Sequence, residues 1–202
     1  ANGVGKSTLL RILVGLNTGF QGDVMVNNIP LEKKNLKTIR KNVGYVFQDA
    51  DSQLFMSTVF DDVAFAPRNY GMSEAEVNEK TMEALKVVHI EQLKDKQIYK
   101  LSGGEKKLAS IATILSTEPD VILMDEPSVA LDPKNRRNLI NILNRLNQAK
   151  IIASHDLNMI MDTCERTILL SDGKIIKDGN TKEILLDKEL MEESGLELPL
   201  GY

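Results

Sequence analysis

The first eight residues, ANGVGKST, have the types and spacing that a phosphate-binding loop requires. Gly5, Lys6 and Ser7 match the end of the pattern G-x-x-x-x-G-K-[ST], whose first glycine would precede Ala1. A glycine-rich turn can point its backbone N–H groups inward as a nest for phosphate oxygens. The N-terminus of the helix that follows adds partial positive charge. We therefore expect a nucleotide site here, and a fragment that starts inside that site.

The side chains of this stretch suit the binding of a triphosphate. Lys6 would neutralise the β- and γ-phosphates, and the Ser7 hydroxyl would ligate Mg²⁺. A glycine-rich turn before an amphipathic helix is the alternative interpretation of these residues alone. On the first interpretation, the nucleotide-binding residues are Asn2, Gly3, Val4, Gly5, Lys6, Ser7 and Thr8.

Four polar residues stand at the ends of predicted strands, namely Gln48, Asp125, Glu126 and His155. Ligands bind at the carboxyl ends of the strands in parallel α/β sheets, so these residues should lie together. Asp125 would hold Mg²⁺ directly or through water, and Glu126 would act as general base on the attacking water. Gln48 would touch Mg²⁺ or that water, and His155 would donate a hydrogen bond to the γ-phosphate. Together they predict hydrolysis of the γ-phosphate, which needs positioning, charge neutralisation and an oriented water.

Each of these residues also has a structural interpretation. Asp125 and Glu126 before Pro127 could form a solvated turn, and His155 with Asp156 could cap a helix. A glutamine at the end of a strand usually has no special role. Their joint occurrence behind a phosphate-binding loop favours the chemical interpretation.

The order of the predicted elements indicates an α/β fold with a mostly parallel sheet covered on both faces. The predicted strands are residues 22–28, 42–47, 120–125 and 150–154, followed by a hairpin of 167–171 and 174–178 around Asp172-Gly173. The predicted helices are residues 6–15, 58–65, 73–88, 102–117 and 133–146. Those between Gln48 and Leu101 would form an all-helical insert on the α/β core.

Composition limits the classes of function. Apolar residues make up 42% and charged residues 27% of the 202 residues, which is typical of a folded domain. The net charge is −4, tryptophan is absent and aromatic residues are 4%, so the chain lacks the basic surface and the stacking residues of a nucleic-acid-binding protein. The single cysteine, Cys164, cannot form an intrachain disulfide and suits a reducing compartment. We interpret Cys164 and His89 as structural.

Downstream motifs resemble those of ABC-type ATPases. Residues 101–105, LSGGE, resemble the signature motif, usually LSGGQ, and VILMDEP resembles the Walker B segment. SVALD at 128–132 resembles the D-loop, Gln48 the Q-loop and His155 the switch histidine. These motifs appear in family order along nearly the whole chain. The segments VFQDADSQLFMSTVFDDVAFAP and LMEESGLELP are similar to the ATPases of energy-coupling-factor importers and of cobalt or nickel importers.

The resemblance implies a P-loop NTPase fold over residues 1–202, truncated at its N-terminus, with a helical subdomain at about 49–118. It implies ATP and Mg²⁺ as ligands and a head-to-tail dimer with a second ABC ATPase subunit. In that dimer, Asp132 belongs to the D-loop, and the residues that close on the ATP of the other chain are Ser102, Gly103, Gly104 and Glu105. It further implies an importer of cobalt, nickel or a vitamin, with a transmembrane coupling subunit, at the cytoplasmic face of the cell membrane. Phe55, Met56 and Phe65 would line the groove for that subunit or belong to the helical core.

Two rival functions stay open at this stage. A soluble ABC ATPase of DNA repair or chromosome maintenance is disfavoured by the acidic charge and by the lack of sustained heptads between Gln48 and Leu101. A nucleotide-sensing module without turnover is disfavoured by intact Glu126 and His155. The sequence departs from the family pattern at Glu105, where glutamine is usual, and at Leu108, where arginine often stands. ATP itself is inferred from the family, because the aromatic residue that stacks on adenine would lie upstream of Ala1.

Overall fold

Strands and helices alternate along the chain in the computed structural model, which describes residues 3–201. The described strands are β1 (Met25–Val26), β2 (Ile29–Pro30), β3 (Val43–Val46), β4 (Val121–Asp125), β5 (Ala149–Ala153), β6 (Arg166–Ser171) and β7 (Lys174–Asn180). The described helices are α1 (Lys6–Leu13), α2 (Leu36–Asn42), α3 (Val59–Asn69), α4 (Glu74–Val87), α5 (Gly103–Leu115), α6 (Pro133–Arg145), α7 (Leu157–Thr163), α8 (Thr181–Leu185) and α9 (Lys188–Glu193).

The central sheet has the order β3–β4–β5, and its strands are parallel. Val46 lies opposite Met124, and Asp125 lies opposite Ala153. The three strands therefore end at one edge of the sheet. The predicted parallel α/β sheet is confirmed for these strands, and β6 and β7 form the predicted hairpin. The short pair β1–β2 is also antiparallel.

Both faces of the central sheet are covered, as predicted. Alternate residues of a strand point to opposite faces, so β3 and β4 contribute to two cores. Val46, Ile122 and Met124 pack in the larger core with residues of α5 and α6. The smaller core, on the face that α1 covers, contains Leu10, Val14, Val43, Tyr45 and Leu123.

Polar residues define where several helices begin. Thr58 caps α3 by accepting a hydrogen bond from the Asp61 N–H. Ser73 and Glu76 form the predicted capping box of α4, in which each side chain accepts from the other residue's backbone N–H. Asp132 caps α6, which has Pro133 in its first turn. The predicted helix positions are confirmed, with ends shifted by at most four residues.

Helices α3, α4 and α5 pack against one another, and α5 also packs against β3. The helix α5 therefore packs both against the neighbouring helices and against the central sheet. The division of the chain into a core and a helical subdomain at about 49–118 stays a prediction.

The predicted strand at residues 22–28 is wrong in its extent. Asn27 and Asn28 have φ values of 49° and 62° and form a tight turn between the two-residue strands β1 and β2. Asparagine tolerates the left-handed region better than most residues, and a pair of such residues is typical of a hairpin turn. Among residues 3–201, no helix has both the length and the apolar composition needed to cross a bilayer.

Candidate active site

A cleft of about 810 Å³ opens where β3, β4 and β5 end. It brings together predicted site residues that are distant in sequence. The lining residues include Gly3, Gly5, Lys6, Ser7, Thr8, Gln48, Glu126 and His155. Val4 is described but does not line the cleft, and Asn2 lies outside the described residues.

The phosphate loop has the backbone that its glycines predict. Gly3 and Gly5 have φ values of 76° and 98°, which are strained for residues that carry a Cβ. Gly5 immediately precedes α1, and no described side chain caps that helix. The N–H groups of its first turn therefore remain available for phosphate oxygens, beside Lys6 and Ser7.

Asp125 is buried, and both of its carboxylate oxygens are held. The Ser7 hydroxyl donates to Oδ1 at 2.8 Å, and the Tyr45 hydroxyl donates to Oδ2 at 3.1 Å. Burial raises the pKa of the Tyr45 phenol, which keeps this group protonated as a donor. Tyr45 belongs to none of the predicted site motifs. The sequence indicates Tyr45 through its position in β3, because the alternation of side chains along a strand places it on the face of the sheet that α1 covers.

The donor set around Ser7 and Asp125 fits Mg²⁺. A hydroxyl and a carboxylate are hard oxygen ligands, and Mg²⁺ combines one or two carboxylates with water and substrate phosphates. Within residues 3–201, no group of three or more histidine, cysteine, aspartate or glutamate side chains could hold a metal ion.

Glu126 is buried and held by several groups at the edge of the cleft. Its Oε2 accepts from the Ser154 hydroxyl at 3.1 Å and the His155 backbone N–H at 3.2 Å, and lies 2.9 Å from His155 Nδ1. Its Oε1 lies 3.7 Å from Lys6 Nζ. The φ of Glu126 is 45°, a left-handed value that costs a non-glycine residue about 1–3 kcal/mol. Such strain is typical of residues whose side chain must point in one direction.

The capping interpretation of His155 and Asp156 is correct for Asp156. Its side chain accepts from the Met159 N–H at the start of α7 and forms a two-pronged ion pair with Arg136 at 2.6 and 2.7 Å. Burial opposes the charge of Asp156, but the hydrogen bonds from Arg136 and Met159 outweigh it and lower its pKa. The His155 side chain instead contacts Glu126.

The signature residues lie outside this cleft, at the start of α5. Ser102 accepts from the Glu105 N–H at 3.3 Å, and Glu105 Oε2 accepts from the Ser102 N–H at 2.7 Å. This capping box explains the departure from glutamine, because both residue types fit its third position. The Ser102 N–H bond lowers the pKa of Glu105, so the carboxylate stays charged. Ser102 and Gly103 are exposed, and a second molecule can reach them.

Gly104 is buried against the beginning of α6. A Cβ on Gly104 would lie 2.5 Å from Nδ2 of Asn135. Exposed Asp132 caps α6 by accepting from the N–H groups of Lys134 and Asn135 at 2.9 and 3.0 Å, and it also accepts from Asn135 Nδ2. Asn135 therefore connects the two segments within one chain, because it contacts Gly104 of the signature and donates to Asp132 at the end of the D-loop.

The family described as ABC transporter matches residues 1–129. The chain belongs to the ABC transporter family. This ABC transporter protein is an ATPase, and its fold is the P-loop fold of the family's ATPase domains. Its binding and hydrolysis of ATP follow from membership of this family.

Named relatives agree with this assignment. The chain is 42% identical to the energy-coupling factor transporter ATP-binding protein EcfA of Carboxydothermus hydrogenoformans, over 98% of this chain and 74% of that protein. It superposes with cbiO1 of Clostridium perfringens, part of the ABC transporter complex cbiONQ, with a TM-score of 0.84 and 36% identity over 96% of this chain and 79% of that one. It also superposes with the dimeric ATP-binding cassette MJ0796, bound to ADP and Pi after hydrolysis, with a TM-score of 0.79 and 30% identity over 90% and 82% of the two chains.

Because Tyr45 donates a hydrogen bond to buried Asp125, we expect removal of its hydroxyl to destabilise the protein more than removal of a surface tyrosine hydroxyl. Tyr45→Phe removes a donor from a buried carboxylate, and we expect a loss of about 1.5–3 kcal/mol in the free energy of unfolding. Tyr70→Phe is the control, because its hydroxyl donates to the Arg40 carbonyl at 3.3 Å near the surface. Urea denaturation of both variants measures the difference. Equal stability of the two variants would show that the Tyr45 hydroxyl does not support Asp125.

Proposed function

We propose that this chain is the ATP-hydrolysing subunit of a membrane importer of the energy-coupling-factor type, working as a head-to-tail dimer. The observation that carries the proposal is the separation of two anion-binding features in one chain. The phosphate loop and Glu126 line the cleft, and buried Asp125 is hydrogen-bonded to Ser7 of that loop, while the exposed signature start lies outside the cleft. The cleft would bind a nucleotide in a single copy, whereas the signature start would reach that nucleotide only when two copies meet.

In the cleft, different residues have different roles in ATP hydrolysis. The N–H groups of the first turn of α1 and the Lys6 ammonium bind the β- and γ-phosphates. Ser7 and Asp125 would hold Mg²⁺, which, when bound, neutralises charge on the phosphate oxygens. Gln48 offers its amide to that ion or to the attacking water. These groups position the γ-phosphorus for in-line attack, and most of the rate gain comes from that positioning.

Glu126 acts as the general base. Water attacks the γ-phosphorus, its proton passes to the Glu126 carboxylate, and the bond to the β–γ bridging oxygen breaks to give ADP and phosphate. His155, 2.9 Å from Oε2 of Glu126, orients the carboxylate and donates to the γ-phosphate. The Ser154 hydroxyl and the His155 N–H fix the same oxygen from the β5 side.

Dimer closure uses the signature of the partner. The Ser102 hydroxyl keeps its own proton to donate, because in the capping box it accepts. With the N–H groups of Gly103 and Gly104 it forms a second anion site for the γ-phosphate bound by the other copy. Glu105 keeps this helix start ordered, and Asp132 keeps the D-loop end ordered beside it. Each charge-assisted contact contributes about 1.5–3 kcal/mol, so ATP favours the closed dimer and hydrolysis releases it.

An exposed aromatic pair near Gln48 suits a transmembrane partner. Phe55 and Phe65 are 65% and 39% exposed, and their rings meet edge to face at 4.8 Å. Buried Asp62 holds the preceding loop by accepting from the N–H groups of Phe55 and Met56 at 3.2 and 3.1 Å. Adjacent exposed aromatic groups, here one on a loop and one on α3, are typical of a protein contact. We propose that a helix of the membrane subunit binds here, which would hold the chain at the cytoplasmic face of the cell membrane.

The relatives support the type of importer. One is named as an energy-coupling factor ATPase, and another is described as part of the complex cbiONQ. We therefore propose a small cargo, either a cobalt or nickel ion or a vitamin. Nucleic acid is not a proposed partner, since the net charge is −4.

Affinity purification after mild detergent extraction tests the proposal. The tagged full-length protein should retain a membrane protein with several spanning helices, identified by mass spectrometry. The double variant Phe55→Ser/Phe65→Ser should lose it while remaining folded by circular dichroism. Tyr99→Ser is the matched control, since Tyr99 is 73% exposed and lies outside this pair. Retention of soluble partners alone would contradict the importer function.

A further inference from the structure

A buried lysine on α5 makes an unusual pair of contacts with the end of β3. Lys107 is 3% exposed, and its Nζ donates to the carbonyl oxygens of Phe47 and Gln48 at 3.0 and 2.7 Å. Burial lowers the pKa of Lys107 to about 8, while Asp49 and Asp125 act to raise it. Lysine is almost never fully buried unless it is paired, because desolvation of its charge is costly. The two carbonyl groups are the hydrogen-bond partners that offset this cost.

The segment after Gln48 is bound to the same face of α5 at further points. Gln53 Nε2 donates to the Ser110 carbonyl at 2.7 Å and to Thr113 Oγ1 at 2.8 Å. Its Oε1 accepts from the Phe47 N–H at 3.1 Å. The residues of α5 that make these contacts are spaced as one helix face requires. The backbone that carries Gln48 is therefore attached to α5 on both sides of the glutamine.

The same helix begins with the signature. Ser102 caps α5, and Lys107 follows it by five positions, which corresponds to about one and a half turns. Because a helix is hydrogen-bonded along its length, a shift of Gln48 that moved Lys107 would also move Ser102. Gln48 lines the cleft of its own chain, whereas Ser102 would face the nucleotide of the partner.

We propose that Lys107 is a positioning residue that joins Gln48 to the signature helix, so that nucleotide in one cleft aligns the signature for the other. The inference rests on the head-to-tail dimer of the proposed function. Lys107 acts through the backbone of residues 47 and 48 and does not contact the nucleotide. A misplacement of about 1 Å in such a site can cost roughly 100-fold in rate.

Lys107→Met is the variant that tests this role. Methionine keeps the apolar stem but leaves two carbonyl groups without their donor. In the full-length protein with its partner subunits, we expect kcat to fall roughly 10–100-fold. The KM for ATP should change less than about 3-fold, because the change spares the phosphate contacts of Lys6 and Ser7.

Two further variants separate this role from general destabilisation. Lys106→Met makes the same change one residue earlier, where the side chain forms a surface ion pair with Asp51, and we expect less than about a 2-fold effect. Lys107→Gln can offer two N–H groups to the two carbonyls and should restore part of kcat. Thermal unfolding of each variant shows whether the fold is retained, and Lys107→Gln keeps the test possible if Lys107→Met unfolds.

A double-mutant cycle with Gln48→Ala tests whether Lys107 acts through Gln48. If Lys107 acts through Gln48, Lys107→Met should add little to the loss caused by Gln48→Ala. The inference would be overturned if the fold-losses in kcat of the two single variants multiplied in the double variant, or if Lys107→Met had the wild-type kcat. Wild-type protein that neither hydrolyses ATP nor dimerises with it would instead contradict the proposed function. Wild-type activity with an unaffected Lys107→Met variant would contradict only the role of Lys107.

Discussion

Glu126→Gln is expected to abolish nearly all ATP turnover while ATP still binds. The amide has the shape of the carboxylate and still accepts from Ser154 and His155, but it cannot take a proton from water. General bases contribute about 10²–10⁴-fold, so kcat should fall by that amount. The phosphate contacts of Lys6 and Ser7 do not depend on that proton transfer, so the Kd for ATP should change little.

Phosphate release measures turnover, and calorimetry at low temperature measures ATP binding. The control is Glu118→Gln, which removes a carboxylate that pairs with Lys80 at the surface. Exposed pairs contribute about 0–1 kcal/mol, so this variant should hydrolyse ATP at the wild-type rate. Hydrolysis retained by Glu126→Gln would remove Glu126 from the role of base.

Ser102→Arg is expected to prevent ATP-dependent dimerisation without harming ATP binding by the monomer. The larger side chain would occupy the exposed place where the partner's γ-phosphate must approach. The substitution also removes the cap of α5, which costs about 1 kcal/mol of stability. Light scattering with and without ATP, in the Glu126→Gln background to trap the closed state, measures the effect.

The chain provides a matched control for the lost cap. Ser73 caps α4 through a capping box with Glu76, which is the arrangement that Ser102 and Glu105 form on α5. Ser73→Arg should therefore cost similar stability but leave the ATP-dependent dimer intact. A dimer that persists in Ser102→Arg, or one lost equally in Ser73→Arg, would contradict the signature's role at the interface.

The convergence of the site could be predicted because it depends on strand ends. Gln48, Glu126 and His155 each follow a run of apolar residues, and parallel strands end at one edge of their sheet. The role of Glu105 in a capping box could also be predicted from its position three residues after Ser102, since a capping box is a local pattern. In these cases the information lies within a few residues of the position itself.

Other features depend on contacts between distant segments. The Tyr45 hydroxyl meets Asp125 only because of the register between β3 and β4, and the Lys107 ammonium meets Gln48 only through the packing of α5 on the sheet. The turn at Asn27 and Asn28 was missed because two-residue strands show no periodicity. The short helices α2, α7, α8 and α9 have five to seven residues, too few for a clear amphipathic pattern.

The contact between Gly104 and Asn135 makes substitutions at these two positions depend on each other. Any side chain at position 104 would meet the Asn135 amide, which Asp132 holds in place. A larger residue 104 would therefore require the Asn135 side chain to turn away from Asp132 or to be replaced by a smaller one. We expect the two positions to vary together among descendants of this sequence, even though 31 positions separate them along the chain.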